Sequence, residues 1–118
     1  MAEFRFQDLK IWKLSIEIAD ELLDIADELD KRRFYRFAEQ LRAAALSMSN
    51  NIAEGSGSVS KKDFRKFLNI ARRSTYENAN ILIILERRQL ITFERMQRQL
   101  NKLKKLGKQI TNFMKTLE

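Results

Sequence analysis

Apolar residues recur every three or four positions along almost the whole chain, in four separate stretches. The first predicts a helix from about Asp8 to Asp30, with Asp8 placed to cap its N-terminus. Leu9, Trp12, Ile16, Ala19, Leu23 and Ala26 form one apolar series along it. Ile11, Leu14, Ile18, Leu22, Ile25 and Leu29 form a second beside the first. Together they cover roughly 200° of the helical wheel, and Lys10, Lys13 and a set of Asp and Glu residues fill the rest. A helix on one side of a small bundle needs an apolar stripe of only about 100–140°. The excess predicts self-association, unless this helix is wedged between two others inside one subunit.

The second stretch predicts a helix from about Arg33 to Ala53, with Phe34, Phe37, Leu41, Ala44, Ala45, Met48 and Ile52 inward. Gly55 reads as the residue that ends it, and residues 55–60 as a flexible loop. Ser60 opens the third helix in a capping box with Asp63, and the pattern continues to about Arg88. Its core face holds Phe64, Phe67, Leu68, Ala71, Leu82 and Leu85. Ser74, Thr75 and Asn78 are mixed in and require hydrogen-bond partners, and Glu77 borders that face. The fourth helix starts at Thr92 and runs nearly to the C-terminus. Phe93, Met96, Leu100, Leu103, Gly107, Ile110, Met114 and Leu117 line a coiled-coil-like seam. The connections after Asp30 and Arg88 are short, so neighbours are expected antiparallel. The expected fold is a single all-α domain over residues 1–118, an up-down-up-down antiparallel four-helix bundle.

Composition narrows the chemistry. The 118 residues include no Cys, no His and no Pro, and three Gly. Without Cys or His there is no disulfide, no Cys/His zinc site and no Ser-His-Asp or Cys-His nucleophile. A di-iron carboxylate bundle fails for want of its Glu-x-x-His motifs. The GSGS stretch lacks the Gly-Lys-Ser/Thr of a phosphate-binding loop. Glu17, Asp20, Asp24 and Asp27 could hold a hard cation only weakly and read as a solvated face. The chain is therefore read as a non-enzyme with no cofactor and no metal. Charged residues make up 33% of the chain, which leaves no room for a 20-residue apolar span, and no N-terminal run suits a signal peptide. A cytoplasmic protein without membrane contact is expected.

Charge is divided unevenly. Residues 1–30 hold three basic and nine acidic residues, net −6; residues 31–118 hold 20 basic and seven acidic, net +13. On the fourth helix Arg95, Arg98, Lys102 and Lys105 form an uninterrupted basic stripe opposite the apolar seam. On the third, Arg65, Asn69, Arg72 and Tyr76 share an outer stripe with Lys62, Lys66 and Arg73 beside it. Cations on a rigid helix can meet successive phosphates, and a surface Tyr or an Arg plane can stack an unpaired base. These residues are the candidate nucleic-acid-binding set, and RNA is favoured over duplex DNA because no recognition helix and turn is present. A plain solubilising surface is the alternative. So is a basic surface already occupied by the acidic N-terminal part, either of the same chain or of a neighbouring subunit.

Several runs resemble the four-helix-bundle proteins encoded within intervening sequences of bacterial 23S rRNA genes. They are Phe6-x-Asp8-Leu9-x-x-Trp12, Gln40-Leu41-Arg42-x-Ala44 with Ser47, and Asn51-Ile52-Ala53-Glu54-Gly55. Ser60-Lys61-Lys62-Asp63-Phe64, Phe67-Leu68-x-Ile70-Ala71-Arg72, Ser74 and Glu77 continue the likeness, which covers residues 4–90. The chain departs where the family usually has Pro before the Asn-Ile-Ala-Glu-Gly run and Gly after Ala-Arg; here stand Ser49 or Asn50, and Arg73. The resemblance implies a four-helix bundle in a ring-like homo-oligomer, typically a pentamer, and an RNA or ribosomal association. It also implies similarity to the accessory proteins of diversity-generating retroelements, which are basic pentamers that bind nucleic acid and a reverse transcriptase. A protein-interaction scaffold is thus the second functional expectation. The motif's polar members Asn51, Glu54, Arg72, Ser74 and Glu77, with Gly55, read as structural, a binding site being the alternative. Asn51 and Glu54 would close the second helix, and Glu77 would pair with Arg42 or Arg72.

Overall fold

The computed structural model describes residues 2–118. Four helices follow one 3₁₀ turn at Arg5–Asp8: α1 Lys10–Lys31, α2 Tyr35–Ser56, α3 Lys61–Arg87 and α4 Phe93–Lys115. Each packs on its chain neighbours and α1 closes against α4, while the diagonal pairs keep their Cα atoms beyond 8 Å among the described residues. This is the up-down-up-down antiparallel arrangement, 44 Å long and about half as wide.

The inward residues are those of the 3.6-residue period. Ile18, Leu22, Ile25 and Leu29 of α1 meet Leu41, Met48 and Ile52 of α2 in the core. Leu68, Leu82 and Leu85 of α3 and Leu106 and Ile110 of α4 complete it, all fully buried. The wide apolar arc of α1 is mostly covered within one chain. Its second series is buried except for Leu14, which with Leu9 and Trp12 packs against the core from its edges; Ile16 and Leu23 stay half-buried outside it. The wedged alternative thus describes α1 itself. On α4 the seam widens into an ordinary bundle face, because Leu106 and Gln99 are also buried while Phe93 is 59% exposed.

The helix ends differ from the sequence reading at two places. Asp8 does not cap α1. The 3₁₀ turn takes Asp8, and extended Leu9 precedes the helix without a side-chain cap. That turn places Phe6 against Trp12, with ring centroids 5.1 Å apart, and Arg5 5.2 Å from the ring centroid of Phe64. Apolar and cation–π contact fixes the entry to α1 in place of a cap. Gly55 does not end α2 either. The helix continues through Ser56 and ends at Gly57, whose φ is −85°. Gly55 is a packing residue: a Cβ there would lie 2.8 Å from the Cβ of Phe67 and 2.9 Å from the ring of Phe64. The loop shortens to residues 57–60. Ser60 and Thr92 both cap their helices, each hydroxyl oxygen accepting from a backbone N–H three residues on, at 3.1 Å; at Ser60 this is one of the two bonds of the expected capping box.

The side-chain donors expected on the core side of α3 are satisfied by backbone, while the buried Oδ1 of Asn78 has no hydrogen-bond partner among the described residues. The Ser74 hydroxyl donates to the Ile70 carbonyl at 3.0 Å and the Thr75 hydroxyl to that of Arg72 at 2.6 Å. The fully buried Asn78 amide donates at 2.8 Å to its own helix at Ser74 and, across the interface, to the Ala44 carbonyl of α2.

Candidate nucleic-acid interface

The basic stripe of α4 does not face solvent unopposed. It borders α1, whose carboxylates reach across. Arg95 forms a two-pronged pair with Glu28, one prong at 2.9 Å. Lys102 lies 2.9 Å from Glu21 and 3.5 Å from Glu17, and Arg98 stands 4.0 Å from Glu21. Gln99 donates a further hydrogen bond to Glu21. That hydrogen bond, with help from Lys102 and Arg98, holds the Glu21 carboxyl below its ordinary value despite partial burial. Arg95 does the same to Glu28, and Glu28 in turn raises the Arg95 guanidinium. Three of the four stripe cations are therefore matched inside the chain, and only Lys105 stays clear of a carboxylate. Of the two partners expected for the acidic part, the chain's own basic surface is the one seen here, because the bundle closes α1 against α4.

A similar pairing occupies Arg42. It bridges Asp27 at 2.7 Å and Asp30 at 2.6 Å on α1, which raises its guanidinium. Glu77 consequently does not pair with Arg42, nor with Arg72; it is exposed on α3 with no ion pair among the described residues. Asn51 does not close α2. Its amide donates to the Ser47 carbonyl at 2.8 Å and to the Ser47 hydroxyl at 3.2 Å, and Ser47 meets Ser74 of α3 at 2.9 Å. Asn51, Ser47 and Ser74 form a polar seam between the two helices. Glu54 is exposed one turn before the end of α2.

Cations left without a carboxylate gather on the other flank of α4. Between α3 and α4 lies a groove of about 800 Å³. Its floor is Ala79, Leu100, Leu103 and Gly107; Thr75 and Thr111 add hydroxyls; Arg72, Tyr76, Lys104, Lys105 and Lys108 form the rim. Arg72 is held in place by its Nε donating to the Thr111 hydroxyl at 3.1 Å, and its guanidinium lies 5.7 Å from the Tyr76 ring centroid. Tyr76 is 67% exposed, so one ring face is open. The groove unites Arg72, Tyr76 and Lys105 of the expected set. Lys62, Arg65, Lys66 and Arg73 are exposed along α3 outside it. Lys104 and Lys108 belong to the groove and were missed. Their signal was the i, i+4 spacing of two cations flanking Gly107, on the α3-facing side of the seam.

Among the described residues no group of three or more carboxylates is arranged to hold a metal ion, and no helix is long and apolar enough to cross a membrane.

The four antiparallel helices place the chain in the class of small all-α four-helix-bundle proteins. Within that class the chain belongs to the 23S rRNA-intervening sequence protein family, whose model matches residues 7–112. A solved structure from Bacteroides thetaiotaomicron, described as a protein with unknown function from the S23 ribosomal protein family, is 24% identical. The match covers 89% of this chain and 98% of that one with a TM-score of 0.84, which shows the shared fold. No curated relative matches the sequence.

Proposed function

We propose that this protein is a non-enzymatic, cytoplasmic RNA-binding protein that takes unpaired RNA along the α3–α4 groove and works as a homo-oligomer, with a pentamer and ribosomal association favoured by the family resemblance. One observation carries the reading. Arg72, Lys104, Lys105 and Lys108 ring the groove with none in an ion pair among the described residues, whereas the α4 cations on the α1 side are already matched. Phosphates suit the rim, and a base suits the open Tyr76 face over the apolar floor. Lys62, Arg65, Lys66 and Arg73 extend the same potential along α3. Self-association is supported by Ile16 and Leu23, half-buried outside the core, and by Leu46, which is 44% exposed.

Filter binding of single-stranded RNA over a salt series tests the reading. Replacing Lys104, Lys105 and Lys108 by Gln should lower the slope of log affinity against log salt by about 2, at about 0.7 per contact. Replacing Arg95 and Lys102 by Gln should change it by less than about one unit. Absence of wild-type binding near about 50 mM salt would sink the proposal. Light scattering addresses assembly: a 14.0 kDa species at micromolar concentration excludes the oligomer.

The apolar floor also favours a second reading, a protein-interaction scaffold or accessory factor for a nucleic-acid enzyme such as a reverse transcriptase. A partner retained after nuclease treatment would support it.

A further inference from the structure

The two interhelical turns at one end of the bundle, α1–α2 and α3–α4, are joined side by side. The Arg32 guanidinium donates to the Leu90 carbonyl at 3.1 Å. That junction collects Lys31, Arg32, Arg33, Arg36, Arg87 and Arg88, all exposed, and none is in an ion pair among the described residues. Residues 31–36 carry four cations and no carboxylate. Three rings stand at the same end: Phe34 is 36% exposed, Tyr35 57% and Phe93 59%. Arg32 lies 5.4 Å from the Phe34 ring centroid, so a guanidinium–ring layer already exists there.

We infer that this turn end is a second contact surface for unpaired RNA, continuous with the groove. Cations placed beside open aromatic faces match the alternation of phosphate and base in a single strand, where each base stacks and each phosphate pairs. The path is short. From Ala79 on the groove floor to Arg88 at the turn is nine residues of α3, roughly 13 Å along the axis. Residues 77–86 of α3 hold no cation, so a strand lying in the groove crosses a cation-free stretch that includes exposed Asn80 and Ile83 before it reaches the turn-end cations. The inference rests on the RNA reading above and adds a surface to it.

The test uses the full chain, a labelled uridine-rich single strand and a blunt duplex of equal length. Arg33→Gly, Arg36→Gln, Arg87→Gln and Arg88→Gln are combined, and Arg32 is kept because it joins the turns. Thermal unfolding confirms that this variant folds. The salt slope on the single strand should fall by about 3, at about 0.7 per contact. Tyr35→Ser with Phe93→Ser should weaken the single strand at least roughly fivefold and leave the duplex unchanged. A slope within one unit of wild type overturns the inference. If the groove variant still loses slope in that case, the proposed function stands alone. If the turn-end variant loses slope and the groove variant does not, the inference stands and the groove reading fails. No RNA binding by the wild type removes both. Loss of binding to phosphatidylserine vesicles with the RNA slope intact overturns the inference in favour of a lipid surface.

Discussion

Gly55 of α2 approaches Phe67 of α3 so closely that a Cβ at residue 55 would lie 2.8 Å from the Phe67 Cβ. The contact draws the two helices together near the 57–60 loop. It also explains how the Asn-Ile-Ala-Glu-Gly run and the Phe67-Leu68 run work as one unit in three dimensions.

Gly55→Ala should therefore destabilise the bundle by about 1–3 kcal/mol, although Ala is the better helix former. Gly107 makes the opposite case. A Cβ there would meet only the Thr75 hydroxyl at an ordinary 3.6 Å. Gly107→Ala should stabilise by up to about 1 kcal/mol. Urea titration of both variants checks the pair, and a stabilised Gly55→Ala would refute the close approach.

Arg33 and Gln89 hold the left-handed conformation, with φ of 68° and 61°. Each ends its helix in the same motif: the Phe34 N–H reaches back to the Leu29 carbonyl and the Leu90 N–H to that of Leu85, both at 2.8 Å. A side chain with a Cβ is strained there, so Arg33→Gly and Gln89→Gly should each raise stability by about 0.5–1 kcal/mol. Thermal midpoints that fall instead would show that these side chains make contacts worth more than the strain.

Asn78 is fully buried with both amide hydrogens on carbonyl oxygens. Asn78→Asp turns that donor into a carboxylate facing two carbonyls. The cost at neutral pH should be at least about 3 kcal/mol. Stability should recover on acidification, because the folded state then favours the protonated acid. Denaturant midpoints at two pH values measure this, and a pH-independent loss would show that the site had opened to water.

Glu21 and Glu28 titrate lower in the folded chain than the ordinary glutamate value of 4.5. Their contribution is complete above that value and is lost as pH falls through the lowered folded values. Stability should thus be flat from neutrality to about pH 5 and decline below it. Glu28→Gln should flatten the decline, and added salt should do so in the wild type, since each exposed pair is worth only about 0–1 kcal/mol. An acid limb identical in Glu28→Gln would remove Glu28 from the account.

Much of the bundle was legible along the chain. Most inward positions, the Ser60 cap and the antiparallel order follow from period, cap chemistry and short connections, whereas Phe34 and Phe93, expected inward, are exposed. The Asp8 cap and the Gly55 stop were misread because local cap rules compete with packing. Phe6 against Trp12, and Phe64 and Phe67 against Gly55, are contacts that no local window contains. The candidate site was half legible. Arg72, Tyr76 and Lys105 were identified, while Arg95, Arg98 and Lys102 were assigned to an open face that α1 covers.

The sequence alone determined that there are four amphipathic helices, which side of each mostly faces inward, and that sites built from cysteine or histidine are excluded. Periodicity suffices for that, because burial of an apolar stripe depends only on positions along one helix. Which cations stay free was decided by the tertiary structure. Lys102 meets Glu21 across 81 residues of chain and Arg95 meets Glu28 across 67. The flank of a helix that meets a neighbour's charges depends on which helix lies beside it. Closing α1 against α4 matched the basic stripe on one flank of α4 and left the groove on the other as the unneutralised surface.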